Sequence, residues 1–175
     1  MTEASIIGLF VATVSFGALL YLAALGELLA EKAGVLNLGV EGMMAIGAVT
    51  AFIVGVELKN PWAALLVAML SGALLASVHG VFTVGLGAEQ VVSGLSLTIL
   101  GLGLAAYLGK DYVGLPPGAE LVPVEWGGLS DLPWIGPIFF NQAPIVYLAL
   151  LMGICLLYTS PSPRDQRGSR MPSSA

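Results

Sequence analysis

The chain has 175 residues, of which 57% are hydrophobic and 10% charged, and its formal net charge is −5. A soluble domain carries about 25% charged residues, so a soluble enzyme domain is excluded, as is disorder over roughly the first 150 residues, since disorder needs low hydrophobicity and high charge. Three of the six basic residues, Arg164, Arg167 and Arg170, lie at the end of the chain; the rest has no basic patch, and phosphate-directed binding to nucleic acid has no support.

Low charge with long apolar runs predicts an all-α integral membrane protein, a polytopic transmembrane helix bundle. The stretch 5–25 is uncharged and long enough for one spanning helix. Its leader Met-Thr-Glu has no positive charge, which argues for a span over a secretory signal. The stretch 26–42 holds Glu27, Glu31, Lys32 and Glu41, and its first part reads as a short interfacial helix. A second span is predicted over 39–56, then a tight polar turn at 57–61, with Pro61 suited to a helix start. A third span follows over 62–86, a break at 87–90, and a fourth span over 91–108. The stretch 110–142 is different. It contains five prolines, from Pro116 to Pro137, with Trp126 and Trp134, and reads as a long external loop at a membrane boundary. A fifth span begins near Ala143.

The fifth span is expected to be cut short. From Cys155 onward the chain turns into a Pro/Ser/Arg string that reads as a translated sequencing adapter. Residues 1–154 are therefore taken as native and 155–175 as a disordered, non-native tail. The single cysteine, Cys155, falls in that tail, and His79 is the only histidine, so no metal site or cofactor is expected.

Ionisable groups at membrane depth are costly and usually face a bundle interior or a wet cavity. Asn37 and Glu41 are four residues apart among several glycines. One reading is a broken helix lining a pathway, with Asn37 capping its second half and Glu41 in the first turn, where the helix dipole favours a carboxylate. The other is an interfacial turn with a solvated Glu41. His79 either relays protons and contacts substrate or bonds a neighbouring helix. Gln90 and Ser93 line a vestibule or satisfy backbone groups at a helix start. Gly72, Ala76 and Gly80 repeat every four residues and are expected to let two helices approach closely. No phosphate-binding P-loop and no nucleophile–base constellation occurs, so the chain is not expected to be an enzyme.

Three separated blocks carry a resemblance: Gly26-Glu-Leu-Leu-Ala-Glu-Lys-Ala-Gly-Val-Leu-Asn-Leu-Gly-Val-Glu-Gly-Met-Met44, Glu89-Gln-Val-Val-Ser-Gly-Leu-Ser-Leu-Thr98 and Leu129-Ser-Asp-Leu-Pro-Trp-Ile-Gly-Pro137. In this order they resemble bacterial ABC importer permeases of the branched-chain amino acid, ribose and simple-sugar superfamily, nearest its nucleoside and simple-sugar branch. Members often have Asn where this chain has Glu89. The resemblance implies a multi-pass permease fragment in the bacterial cell (inner) membrane. It also implies a separate ATP-binding subunit, a second permease subunit and an extracytoplasmic substrate-binding lipoprotein. The transport-pathway candidates are Asn37, Glu41, His79, Gln90 and Ser93. The rival reading is an ion- or proton-coupled secondary transporter, which Glu41 and His79 would serve.

Overall fold

The computed structural model describes residues 2–159. Four helices among them are long and apolar enough to cross a membrane. They are α1 (Glu3–Lys32), α2 (Val40–Leu58), α3 (Pro61–Gly80), which continues as one wider turn over Val81–Gly85, and α4 (Gln90–Gly109). A shorter apolar helix, α5 (Pro144–Thr159), follows the long loop. Large apolar side chains lie open along these helices, for example Phe16, Leu74 and Ile99, each about two-thirds exposed. In water such faces would drive association. In a bilayer they meet lipid tails as apolar as themselves.

The chain forms two compact units, Met1–Leu22 with Pro123–Ala175, and Ala23–Val122.

In the first unit, Ala18 of α1 packs against Val146 and Ala149 of α5, with Val14, Leu22 and Ile145 around them. The loop before α5 is folded. Two short strands, β1 (Val124–Glu125) and β2 (Asn141–Gln142), pair antiparallel. Gln142 at the end of β2 is buried. Its Oε1 accepts from Ser15 Oγ at 2.8 Å, and its Nε2 donates to the Ile138 carbonyl at 2.8 Å. Trp126 meets Tyr147 edge to face, with ring centroids 5.6 Å apart. Trp134 Nε1 donates to Glu3 at 2.8 Å. Helix α5 carries on through Cys155 to Thr159, five residues expected from the sequence to belong to a disordered tail. The remainder of that tail, 160–175, lies outside the described residues.

In the second unit, α2 and α3 form an antiparallel helical hairpin. Lys59 ends α2 in the left-handed region at φ 51°, and Asn60 caps α3, its Oδ1 accepting from the Trp62 and Ala63 amides. Pro61 opens α3, as its fixed φ and missing N–H favour. Between the two helices, Thr50 and Ser71 share a hydroxyl hydrogen bond of 2.9 Å. Ile46, Leu75 and Leu97 form the core shared by α2, α3 and α4.

Two expectations are corrected here. First, the charged stretch after 25 is no separate interfacial helix, because α1 runs unbroken to Lys32. It ends in a Schellman-type turn. Gly34 sits at φ +85°, its amide bonds the Glu31 carbonyl, and the Val35 amide bonds the Ala30 carbonyl. Second, of Gly72, Ala76 and Gly80 only Gly72 comes near another helix, where an added Cβ would stand in ordinary contact, 3.9 Å from the Met43 carbonyl oxygen of α2. Ala76 is exposed, and a Cβ at Gly80 would meet nothing within 4 Å. The close helix crossing is instead between α2 and α4. A Cβ at Gly42 would lie 2.5 Å from the Leu97 carbonyl oxygen, and one at Gly101 2.5 Å from the Gly42 oxygen.

Candidate functional site

Between α1 and α2 the backbone is irregular from Ala33 to Gly39. Backbone polar groups withdrawn from water need hydrogen-bond partners. Side chains from three helices satisfy them here. The Leu36 amide donates to Gln90 Oε1 at 2.7 Å, and Gln90 Nε2 donates to the Gly34 carbonyl at 3.2 Å. His79 Nε2 lies 3.2 Å from the Leu36 carbonyl. The Asn37 amide donates to Glu27 Oε1 at 2.8 Å. Thr98 Oγ1 donates to the Leu38 carbonyl at 2.8 Å. Asn37 closes the segment on itself, its Oδ1 accepting from the Gly39 amide at 3.0 Å.

His79, Gln90, Ser93 and Asn37 thus gather at one place. Asn37 does so in a different role from the one expected. It does not cap α2; Gly39 holds the cap position and has no side-chain bond. Asn37 makes an Asx-type turn two residues earlier. Glu41 lies in the first turn of α2, as expected, but its side chain is exposed and stands apart from this cluster. Two members were missed. Thr98 is the third hydroxyl of α4, after Ser93 and Ser96, and Glu27 a carboxylate within a helix. Glu27 Oε2 is buried and has no hydrogen-bond partner among the described residues.

The hydrogen bonds at His79 fix their own direction. The Leu36 carbonyl can only accept, so Nε2 carries the hydrogen. In the neutral imidazole the other nitrogen then accepts, and Ser93 Oγ, 3.0 Å from Nδ1, donates to it. Thr83 supports the same residue from behind, donating to the His79 carbonyl at 2.8 Å, where α3 widens into its last turn.

Ser93 also borders a groove of about 440 Å³. That volume lies within the range of small-molecule sites. Its walls are Val78 and Phe82 from the end of α3, and Ala88, Glu89, Val92, Ser93, Ser96, Leu97 and Leu100 from the start of α4. The lining is mostly apolar with three polar side chains. Glu89 caps α4 through Oε2, which accepts from the Val92 amide at 3.2 Å. No group of His, Cys, Asp and Glu among the described residues could hold a metal ion.

Four apolar spans, with polar side chains turned inward to hold an irregular segment beside a groove, define a multi-pass cell-membrane protein of the permease class. The chain belongs to the family described as "Branched-chain amino acid transport system / permease component", whose model matches residues 9–161. Among curated proteins it is similar to a putative glucose ABC transporter permease protein of Haloferax volcanii, 43% identical over 82% of this chain and 45% of the relative. It is also similar to a guanosine ABC transporter permease protein of Bacillus subtilis, 35% identical over 85% of this chain and 49% of the relative. A nucleoside ABC transporter permease protein of Lactococcus lactis is 32% identical over 77% of this chain and 45% of the relative. The chain spans about half the length of the curated relatives it matches. No solved structure matches it.

Proposed function

We propose that the chain is the membrane-spanning part of an ATP-driven importer for a polar small molecule, a nucleoside or a simple sugar. ATP is hydrolysed on a separate ATP-binding subunit, and the chain works beside a second permease subunit and an extracytoplasmic binding lipoprotein. The observation that carries this reading is the family match over 9–161, joined by relatives named as glucose, guanosine and nucleoside permeases. The polar cluster of Asn37, His79, Gln90 and Ser93 beside the groove supports a path for a polar solute. Glu41, exposed at the start of α2, is read as facing a wet part of that path rather than lipid.

The test is uptake of labelled guanosine and glucose by membranes holding the permease with its partner subunits. Uptake of one of them should require ATP and survive collapse of the proton gradient. Uptake that follows the gradient and ignores ATP would favour a proton-coupled transporter and end this proposal.

A further inference from the structure

Resting on the importer reading, we infer that the limb 134–142 is re-entrant: it descends from the first turn of α1 to the middle of that helix's apolar run, and Glu125 and Asn141 face a water-filled recess there, at one end of the solute path. Two hydrogen bonds to α1 give the depth. At the top, Trp134 Nε1 donates to Glu3. At the bottom, Gln142 Oε1 accepts from Ser15. Glu3 and Ser15 lie on one unbroken helix, and at the helical rise per residue they are about 18 Å apart along its axis. Ser15 is the centre of the uncharged stretch 5–25. The hydrocarbon core of a bilayer is about 30 Å thick, so a limb tied to Ser15 reaches roughly half-way through it.

The limb is bonded as such a place requires. Three successive carbonyls each accept from a side chain: Ile138 from Gln142 Nε2 at 2.8 Å, Phe139 from the Tyr147 hydroxyl at 3.1 Å, and Phe140 from Ser130 Oγ at 2.9 Å. A surface loop can leave its carbonyls to water, whereas irregular backbone at membrane depth must be covered by protein or line a wet cavity. Helix α5 starts from this level and runs the same way as α1, with Val146 and Ala149 against Ala18 and Gly153 against Tyr21. Starting part-way down explains its 16 residues, where a full span needs about 20. In the strand pair, Val124 lies opposite Gln142 and Glu125 opposite Asn141. Strand alternation puts the second pair on the face away from buried Gln142. Glu125 is exposed and Asn141 half-buried. An ionised carboxylate at this depth is costly against lipid, so the recess they face holds water. A polar solute that enters it crosses half of the hydrocarbon without leaving water.

The test is nitroxide labelling of single cysteines, in a chain with Cys155→Ser, in the permease with its partner subunits in lipid nanodiscs. Relaxation by a water-soluble nickel chelate is compared with relaxation by oxygen, which concentrates in lipid. The nickel-to-oxygen ratio should be several-fold higher at Glu125→Cys and Asn141→Cys than at Phe16→Cys, which is exposed on α1 beside Ser15. Along α1 itself the ratio should fall several-fold from Thr2→Cys to Phe16→Cys, a comparison that leaves the limb untouched. Equal ratios at Thr2 and Phe16 would mean that α1 stands clear of the bilayer and the limb lies outside it, and would overturn the inference. A low ratio at Glu125 and Asn141 would put lipid where the recess is drawn and overturn it too. A bulky water-soluble thiol reagent on Asn141→Cys should abolish ATP-driven uptake, and on Thr2→Cys should not; uptake unaffected by the first would take the recess off the path. The label ratios are read without ATP or solute. A permease that takes up nothing before labelling therefore fails the importer reading, while the ratios alone decide the recess.

Discussion

Gly42 and Gly101 cross backbone to backbone: a Cβ at Gly101 would sit 2.6 Å from the Gly42 Cα. No side chain separates α2 from α4 at this point, and the pair sets how near Thr98 comes to the Leu38 carbonyl. Gly101→Ala is expected to push the helices apart and cost about 1–3 kcal/mol, as overpacking does. Gly103→Ala, two residues on, meets nothing within 4 Å and should be neutral or gain up to about 1 kcal/mol of helix propensity. Thermal unfolding of the two variants in detergent checks the contrast; equal Tm values would refute it.

Gln90 serves both a donor and an acceptor of the 33–39 segment. Gln90→Ala should cost about 1–3 kcal/mol by leaving the Leu36 amide and Gly34 carbonyl unpaired. Gln90→Glu should not restore the loss, since it keeps the acceptor but sets a carboxylate oxygen against the Gly34 carbonyl. Hydrogen exchange at the Leu36 amide reads this directly. It should speed up in Gln90→Ala, and an unchanged rate would mean that the segment is held by something else.

Gln142 plays a similar part in the first unit. Gln142→Leu is expected to leave the Ile138 carbonyl without its donor and Ser15 without its inter-element acceptor, a loss of about 1–3 kcal/mol. Adding Ser15→Ala to Gln142→Leu should cost less than Ser15→Ala does alone. A double-mutant cycle on unfolding midpoints checks this, with strict additivity as the refuting result.

At the α2–α3 joint, Asn60→Ala should cost about 1 kcal/mol through loss of the cap, while Asn60→Asp should keep it. Lys59, at φ 51°, is a non-glycine residue in left-handed backbone. Lys59→Gly should therefore be neutral or stabilising by up to about 1 kcal/mol. Chemical denaturation of the set gives both signs.

Glu41→Cys, in a chain with Cys155→Ser, should react with water-soluble thiol reagents. A cysteine in place of Ile99, on an apolar exposed face, should react far more slowly. Equal rates would show that Glu41 does not face water.

Spans were legible because apolar length is a one-dimensional property. Pro61 and the polar residues before it placed the α2–α3 joint within a residue or two. The end of α1 was misread because Glu27, Glu31 and Lys32 look like an exit from the membrane, yet Leu28, Leu29 and Ala30 among them are good helix formers. What stops the helix is Gly34, whose left-handed turn no hydropathy pattern reveals. The glycine stripe failed for another reason. Spacing within one helix shows which residues are small, not which helix lies opposite. Gly42 and Gly101 are far apart in sequence and take their meaning only from each other. His79, Gln90 and Ser93 were found because polar residues in apolar runs are conspicuous. Their partners were not, because those partners are mostly backbone atoms, which every residue carries.

The two-residue joint between Leu58 and Pro61 bears on how the protein is made. So short a link has no slack to keep one helix in lipid while the other waits in water. The two helices are therefore expected to enter the bilayer together as one loop, with Glu57, Lys59 and Asn60 the polar groups carried to its far end. A glycine- or serine-rich insertion at this joint would uncouple the insertion of α2 from that of α3 and allow α2 to be trapped alone, in either orientation, before its partner arrives.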